Sequence, residues 1–188
     1  MRQIVAVFFA SITISFCGNT VAHAQDKAGT ATPSDSALLA QNFELKNLSG
    51  EIVRLSDLRG KHILLNFWAT WCRPCRGEIP SLNKLVEQYP DLVILTVTFE
   101  KRDVVKRFIK KFEEDHKITI AFTVLIDTAR TTDALYGIGY FPTTFLIRPN
   151  GEIVGTDSDR TVSVSPEGSI DWQGESSRKC IESFLKLE

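Results

Sequence analysis

The sequence predicts an α/β protein with a central mixed β-sheet and helices on both faces. Short apolar runs typical of buried strands alternate with amphipathic segments at helical spacing, and a final hairpin and helix close the chain. The 188 residues are 43% hydrophobic and 24% charged, which is enough apolar material for one domain with a proper core. The formal net charge of -1 gives no electrostatic footprint for nucleic acid.

The N-terminus has the pattern of a secretory signal. Arg2 precedes an apolar run over residues 4–16, and Ala22-His23-Ala24 supplies small residues at the two positions critical for cleavage. The apolar run is short for a membrane span, so an uncleaved anchor helix is the weaker alternative. We expect a signal peptide (or N-terminal anchor) at 1–24, a flexible linker at 25–37 and one domain at 38–188. An exported protein would fold in an oxidising compartment.

The first half of the domain predicts a hairpin and then a buried strand leading into a helix. Polar and apolar residues alternate before and after a turn that contains Gly50. We expect a hairpin from 42–46 and 52–55, a capped turn at 56–60, a buried strand at 62–68 and a helix ending near Gln88.

The second half repeats the alternation of strands and helices. We expect buried strands at 92–99 and 118–126, an amphipathic helix between them, a short helix at 129–136 closed by Gly137, a hairpin from 143–148 and 152–156, and a final helix at 176–187. The basic residues opposite the apolar stripe of the middle helix predict a solvated surface rather than a binding face. The polar stretch 157–174 allows no assignment, and Asp171-Trp172 within it predicts either a contact at the rim of a site or simple packing.

Two cysteines lie at the junction between the strand at 62–68 and the helix that follows. Cys72 and Cys75 are spaced so that a disulfide can close within one helical turn, a pattern typical of redox motifs in α/β proteins. The free N–H groups at a helix N-terminus favour an anion, so Cys72, with an exposed sulfur, is the expected nucleophile and the deeper Cys75 the resolving thiol. Arg73 adds a nearby positive charge that also favours the thiolate.

Glu78 lies one helical turn after Cys75. A carboxyl group close to two thiols can accept or supply the proton that exchange requires, provided that burial raises its pKa. The alternative is an ordinary solvent-facing glutamate, and the pattern alone does not separate the two.

Zinc is the main competing use of a pair of cysteines at this spacing. A structural zinc site needs four ligands, and only Cys180 and unpaired histidines remain for it, so no metal is expected. Cys180 lies on the apolar face of the last predicted helix, where we expect a buried residue. The other expectation for an odd cysteine in an exported protein is pairing with another chain.

The segment Phe67-Trp68-Ala69-Thr70-Trp71-Cys72-Arg73-Pro74-Cys75 resembles the active-site segment of the thioredoxin superfamily. Tyr140-Phe141-Pro142-Thr143-Thr144-Phe145-Leu146-Ile147 resembles the loop and strand that carry the cis-proline of that family. The segment 45–60, the extra strand–helix unit before Pro142 and the Cys-x-x-Cys-x-x-Glu pattern resemble the TlpA-like branch, which includes exported disulfide reductases of the ResA and CcmG types. The resemblance runs from about Phe43 to the C-terminus and implies a thioredoxin-like fold with an N-terminal β-hairpin and an inserted strand–helix unit.

The resemblance also implies roles for six residues. Cys72 matches the attacking cysteine and Cys75 the resolving one, so the redox disulfide would be Cys72–Cys75. Glu78 matches a carboxylate that tunes the thiols. Trp71 flanks the active site, and the Phe141–Pro142 backbone would pack against the disulfide and bind a substrate segment. Asn66 stands where thioredoxin has a buried aspartate, which leaves Glu78 as the natural substitute for proton handling.

The resemblance implies a thiol–disulfide oxidoreductase of the cell envelope that reduces exported proteins, of the cytochrome c maturation type. Its partners would be oxidised cysteine-containing proteins, among them apocytochrome c, and a membrane electron donor; no cofactor and no nucleic acid are expected. The location would be periplasmic or extracytoplasmic, with a membrane anchor if the N-terminus is uncleaved. The alternatives are a peroxiredoxin-like peroxidase and a redox-inert binding module. Arg73-Pro74 differs from the Gly-Pro of thioredoxin, so the direction of electron flow stays open.

Overall fold

The computed structural model describes residues 38–154 and 170–186. The predicted signal peptide at 1–24 and linker at 25–37 lie outside these ranges, as does most of the polar stretch 157–174. The elements in chain order are β1 (Glu44–Asn47), β2 (Ile52–Arg54), a 3-10 helix (Leu55–Leu58), β3 (His62–Phe67), α1 (Arg73–Gln88), β4 (Leu92–Thr98), α2 (Arg102–His116), β5 (Thr123–Ile126), α3 (Thr131–Tyr136), β6 (Thr143–Ile147), β7 (Ile153–Val154) and α4 (Glu175–Lys186).

The described strands form one mixed sheet in the order β2-β1-β5-β4-β3-β6-β7. β3 pairs in parallel with β4 and antiparallel with β6, so it occupies a central position. Phe67, the last residue of β3, stands opposite Thr143, the first residue of β6. The loop that follows β3 and the loop that precedes β6 therefore meet at the same edge of the sheet. This register brings the cysteines after β3 to the same edge as Pro142.

Helices cover both faces of the sheet, as the sequence predicts. Most of β3 is apolar because its alternate side chains enter two separate cores: Leu64 packs in one core, and Leu65 and Phe67 pack in the other. The first core receives side chains from α1, α2 and α4, and the second receives side chains from the 3-10 helix and α3. The predicted mixed α/β architecture is thus confirmed.

The strand expected at 118–126 is shorter in the structure, where β5 spans only Thr123–Ile126. The backbone before it is satisfied by side chains rather than by a neighbouring strand. The Asn83 side chain donates to the Thr119 carbonyl and accepts from the Ala121 N–H, both at 2.7 Å. Apolar residues at 118–122 therefore line the core without forming a strand, a distinction that periodicity alone does not make.

The remaining predicted elements agree with the structure apart from small differences at their ends. Gly137 closes α3 in a left-handed conformation with φ of 64°, which glycine adopts without steric cost. Cys180 on α4 is buried, as expected. The described part of the chain contains no free cysteine, so Cys180 is not a free thiol. None of the helices within the described ranges is long and apolar enough to span a membrane.

Candidate active site

The two cysteines form a disulfide at the N-terminus of α1. Cys72 is the N-cap residue, and Cys75 follows in the first turn. The S–S distance is 2.07 Å and the Cα atoms are 5.3 Å apart, within the usual range for a disulfide. The Cys75 backbone N–H also points at the Cys72 sulfur, with a distance of 3.2 Å between nitrogen and Sγ. A negative charge on Cys72 would receive that hydrogen bond and the positive end of the helix dipole.

The expectation that the Cys72 sulfur is exposed is wrong for this oxidised state, whereas the expected burial of Cys75 is confirmed. Cys72 is 5% exposed and Cys75 is 3% exposed, so accessibility does not distinguish the two residues. The closed disulfide places both of them in the core that α1 covers. What distinguishes them is position, because only Cys72 occupies the N-cap and accepts a backbone N–H there.

The turn before Cys72 is held by Glu100, which no sequence motif indicates. Glu100, two residues beyond the end of β4, accepts a hydrogen bond from the Thr70 N–H at 2.6 Å and another from the Thr70 hydroxyl at 2.7 Å. The signal was available, because the carboxyl ends of neighbouring parallel strands meet at one edge of a sheet. Trp71 follows Thr70 and is 70% exposed, so its side chain is not part of the core.

An aromatic rim runs from the disulfide loop to the loop before β6. The Phe141–Pro142 peptide bond is cis. The Phe141 ring lies 5.8 Å from the ring of Trp71 and 5.8 Å from the ring of Phe99, measured between centroids. The Arg130 guanidinium stands 4.4 Å over the Phe99 ring. The structure thus brings Trp71, Phe141 and Pro142 to one edge of the sheet, and it adds Phe99 and Arg130, which no sequence motif indicated.

Glu78 is a buried carboxyl group with few hydrogen-bond partners. It is 1% exposed, its Oε1 accepts from the Ile170 N–H at 2.9 Å, and its Oε2 lies 3.5 Å from the Asn66 amide nitrogen. Loss of contact with water raises the pKa of Glu78 from 4.5 to about 7, and the nearby N–H groups of Ile170, Trp172 and Asn66 limit the rise. The solvent-facing alternative for Glu78 is therefore wrong.

Trp172 is buried against α1 instead of lying at a rim. It is 1% exposed and belongs to the same core as the disulfide. Its position could not be read from the polar sequence around it, since the contacts are with α1, far away along the chain. No group of three His, Cys, Asp or Glu residues in the described ranges is arranged to hold a metal ion.

Comparison with known proteins agrees with this geometry. Residues 38–156 match the model of the AhpC/TSA family. The chain belongs to the AhpC/TSA family. This family member is 40% identical over 115 residues to the thioredoxin-like protein YneN of Bacillus subtilis, an alignment covering 61% of the chain and 66% of YneN. It is 36% identical over 118 residues to the thiol-disulfide oxidoreductase ResA of Bacillus thuringiensis (strain Al Hakam), covering 61% of the chain and 65% of that protein.

A solved structure of similar fold is a candidate thiol:disulfide interchange protein DsbE from Chlorobium tepidum. The TM-score is 0.64 at 28% sequence identity, and the superposition covers 80% of this AhpC/TSA-family chain and 98% of the other. The predicted thioredoxin-like fold and the resemblance to ResA-like proteins are confirmed. The chain spans just under two thirds of the length of YneN and of that ResA.

Proposed function

We propose that this protein is a thiol–disulfide oxidoreductase that reduces disulfides of exported proteins through Cys72 and Cys75. The observation that carries the proposal is the Cys72–Cys75 disulfide at the N-terminus of α1, one turn before a buried carboxyl group. The relatives named thiol-disulfide oxidoreductase ResA and the DsbE-like structure support the same chemistry.

The reaction begins from the reduced protein with Cys72 as a thiolate. The helix N-terminus and the positive charge of Arg73 stabilise that anion. The Cys72 sulfur attacks one sulfur of the substrate disulfide, so a mixed disulfide forms and the other substrate sulfur leaves as a thiolate that takes up a proton.

The second step resolves the mixed disulfide. The Cys75 thiol gives its proton to the Glu78 carboxylate, and the Cys75 sulfur attacks Cys72. The Cys72–Cys75 disulfide forms, and the second substrate sulfur is released and takes up a proton. Two electrons have then passed to the substrate. Its second thiolate takes the proton held by Glu78 and its first takes a proton from water, so the protein is left with Glu78 ionised and with the Cys72–Cys75 disulfide that the structure describes. A carboxyl group whose pKa lies at about 7 is suited to this role, because both of its protonation states are populated near neutral pH.

Trp71, Phe141 and Pro142 are the proposed substrate-binding residues. An exposed tryptophan beside a second aromatic ring offers apolar contact area at the edge of the site, where a substrate segment next to a disulfide can pack. The backbone before Pro142 would pair with that segment, as the resemblance to thioredoxin-like proteins implies.

The finer part of the proposal concerns location and partners. The signal-like N-terminus supports an extracytoplasmic site of action, with an anchor if residues 1–24 are retained. Substrates of the cytochrome c maturation type and a membrane electron donor that reduces Cys72–Cys75 again follow from the resemblance to ResA-like and CcmG-like proteins.

The two other interpretations have less support. A peroxiredoxin-like peroxidase needs a threonine three residues before its reactive cysteine, but that position is Ala69, and the hydroxyl of Thr70 is bound by Glu100. Peroxide turnover that persists in Cys75→Ser would support the interpretation as a peroxidase. A redox-inert binding module would have no use for a cysteine pair at a helix N-cap.

The test combines an assay of insulin reduction, the trapping of mixed disulfides with substrates and a measurement of the reduction potential of Cys72–Cys75. Reduction of insulin disulfides should be lost in Cys72→Ser, whereas Cys75→Ala should accumulate mixed disulfides with its substrates, which mass spectrometry would identify. Unchanged insulin reduction by Cys72→Ser would overturn the proposal. A reduction potential of about −120 mV, as oxidising as DsbA, would leave the exchange chemistry intact but reverse its direction.

A further inference from the structure

The chain returns to the active-site helix immediately before α4. Residues 170–174, here called the strap, are tied to α1 at three points. The Ile170 N–H donates to Glu78 Oε1 at 2.9 Å, the Trp172 N–H donates to the Ser81 hydroxyl at 3.2 Å, and the Gln173 side-chain amide lies 3.4 Å from the Ser81 carbonyl. The Ser81 hydroxyl in turn donates to the Glu78 carbonyl at 2.9 Å. These hydrogen bonds therefore fix the position of the strap against the turn of α1 that carries Glu78.

These bonds hold the Trp172 indole in one place inside the core. Its Nε1 is fully buried and makes no hydrogen bond of good geometry with any described residue. The strap hydrogen bonds place Trp172 against the turn of α1 that carries Glu78, and the Trp172 side chain is one of the groups that lower the pKa of Glu78. A buried indole N–H without a partner carries a cost in free energy, and an adjacent carboxylate would remove that cost.

The groups that face Glu78 favour its anion. They are N–H donors from the strap and from Asn66 on β3, and the Thr144 hydroxyl on β6 accepts from the same Asn66 amide at 2.9 Å. On its own helix, Cys75 lies one turn before Glu78 and does not titrate here because it is oxidised. Among the described residues, no charged side chain contributes to the pKa of Glu78. Within this part of the chain, the ionisation of Glu78 therefore depends on burial and on neutral donors.

We propose that Trp172 is a positioning residue for Glu78, with an indole N–H held in the core to bind the carboxylate form of Glu78. The N–H stabilises the anion that must accept the Cys75 proton. Removing it would keep Glu78 protonated at higher pH and shift the resolving step toward alkaline pH. The consequence for exchange rests on the proposed function, but the pairing itself is a property of the oxidised protein and needs no substrate.

The experiment is an NMR titration of the oxidised, full-length mature protein. Glutamate labelled with ¹³C at the carboxyl carbon reports Glu78, assigned by the loss of its signal in Glu78→Gln. The wild-type midpoint should lie near pH 7. In Trp172→Phe, which keeps an aromatic ring and removes the N–H, the midpoint should rise by about one pH unit, a tenfold change in proton affinity.

Trp68 provides a matched control. Its Nε1 is also buried and without a hydrogen bond among the described residues, but Trp68 makes no contribution to the pKa of Glu78. Trp68→Phe should therefore leave the Glu78 midpoint in place. A Glu78 midpoint that is equal in wild type and Trp172→Phe would overturn the proposal.

A second measurement needs no variant at position 172. The indole ¹⁵N–¹H resonance of Trp172 in the wild type should move with the Glu78 midpoint, that of Trp68 should stay still, and Glu78→Gln should abolish the movement. A Trp172 resonance that does not titrate would refute the pairing. Insulin reduction that survives Cys72→Ser would refute the proposed function instead, and it would leave this titration unaffected.

Discussion

Replacing Glu78 with glutamine should change how the stability of the protein depends on pH. Glu78→Gln keeps the size of the side chain and removes its ionisation. In the folded protein Glu78 holds its proton up to about pH 7, whereas its ordinary pKa is 4.5. Between these two values the folded state binds more protons than the unfolded state, so the free energy of unfolding of the wild type falls as pH rises.

The magnitude follows from the difference between the two pKa values. Each pH unit of difference corresponds to about 1.4 kcal/mol. From 4.5 to about 7, the wild type should lose about 3 kcal/mol of stability that Glu78→Gln retains. The loss begins near pH 4.5 and is complete above pH 7, because Glu78 is then ionised in both states. Glutamine also changes the hydrogen bonds around position 78, but that effect is the same at every pH.

Urea unfolding of the oxidised proteins at a series of pH values measures the effect. The stability of Glu78→Gln minus that of wild type should increase by about 3 kcal/mol from acid to mildly alkaline pH, because other titrating groups contribute equally and cancel. Glu87→Gln makes the same change at an exposed position of α1 and should give a curve parallel to wild type. Parallel curves for Glu78→Gln and wild type would refute the assignment of a raised pKa to Glu78.

Two further substitutions test the loop before β5 and the aromatic rim. Asn83→Ala removes two partly buried hydrogen bonds to the backbone at 119 and 121 and should lower the free energy of unfolding by about 2–4 kcal/mol in urea; a loss under about 1 kcal/mol would contradict this role. Trp71→Ala, at a position 70% exposed, should change stability by less than about 0.5 kcal/mol. It should also raise KM for a protein disulfide and leave reduction of a small aromatic disulfide unchanged. A parallel fall in both activities would assign Trp71 to the chemistry rather than to substrate binding.

Local patterns predicted much of the fold. The hairpin of β1 and β2, the turn ending at Gly60 and the closure of α3 at Gly137 each depend on a few neighbouring residues, and each lies within a few residues of its expected place. The segment 118–122 was assigned wrongly because its backbone partners come from Asn83 and Glu113, which only folding brings near.

In the site, too, local patterns predict some features and only the tertiary structure determines others. The predicted exposure of the Cys72 sulfur is wrong because the accessibility of a side chain depends on what packs around the closed disulfide. The position of Cys72 on the helix does not determine that packing. Glu100 and Arg130 reach the site from other elements. The place of Glu100 after a parallel strand indicates the edge of the sheet where it lies, but no local motif marks either residue.

The sequence by itself determined the dithiol chemistry and its helix. Cys72 and Cys75 lie three residues apart, so one helical turn is enough to bring their sulfurs together. Only the tertiary structure decided the environment of Glu78. Its strap partner Ile170 is 92 positions away along the chain, and the burial that raises the Glu78 pKa exists only once that segment has folded against α1. Helical spacing sets neighbours within a turn, whereas burial depends on every segment that packs there.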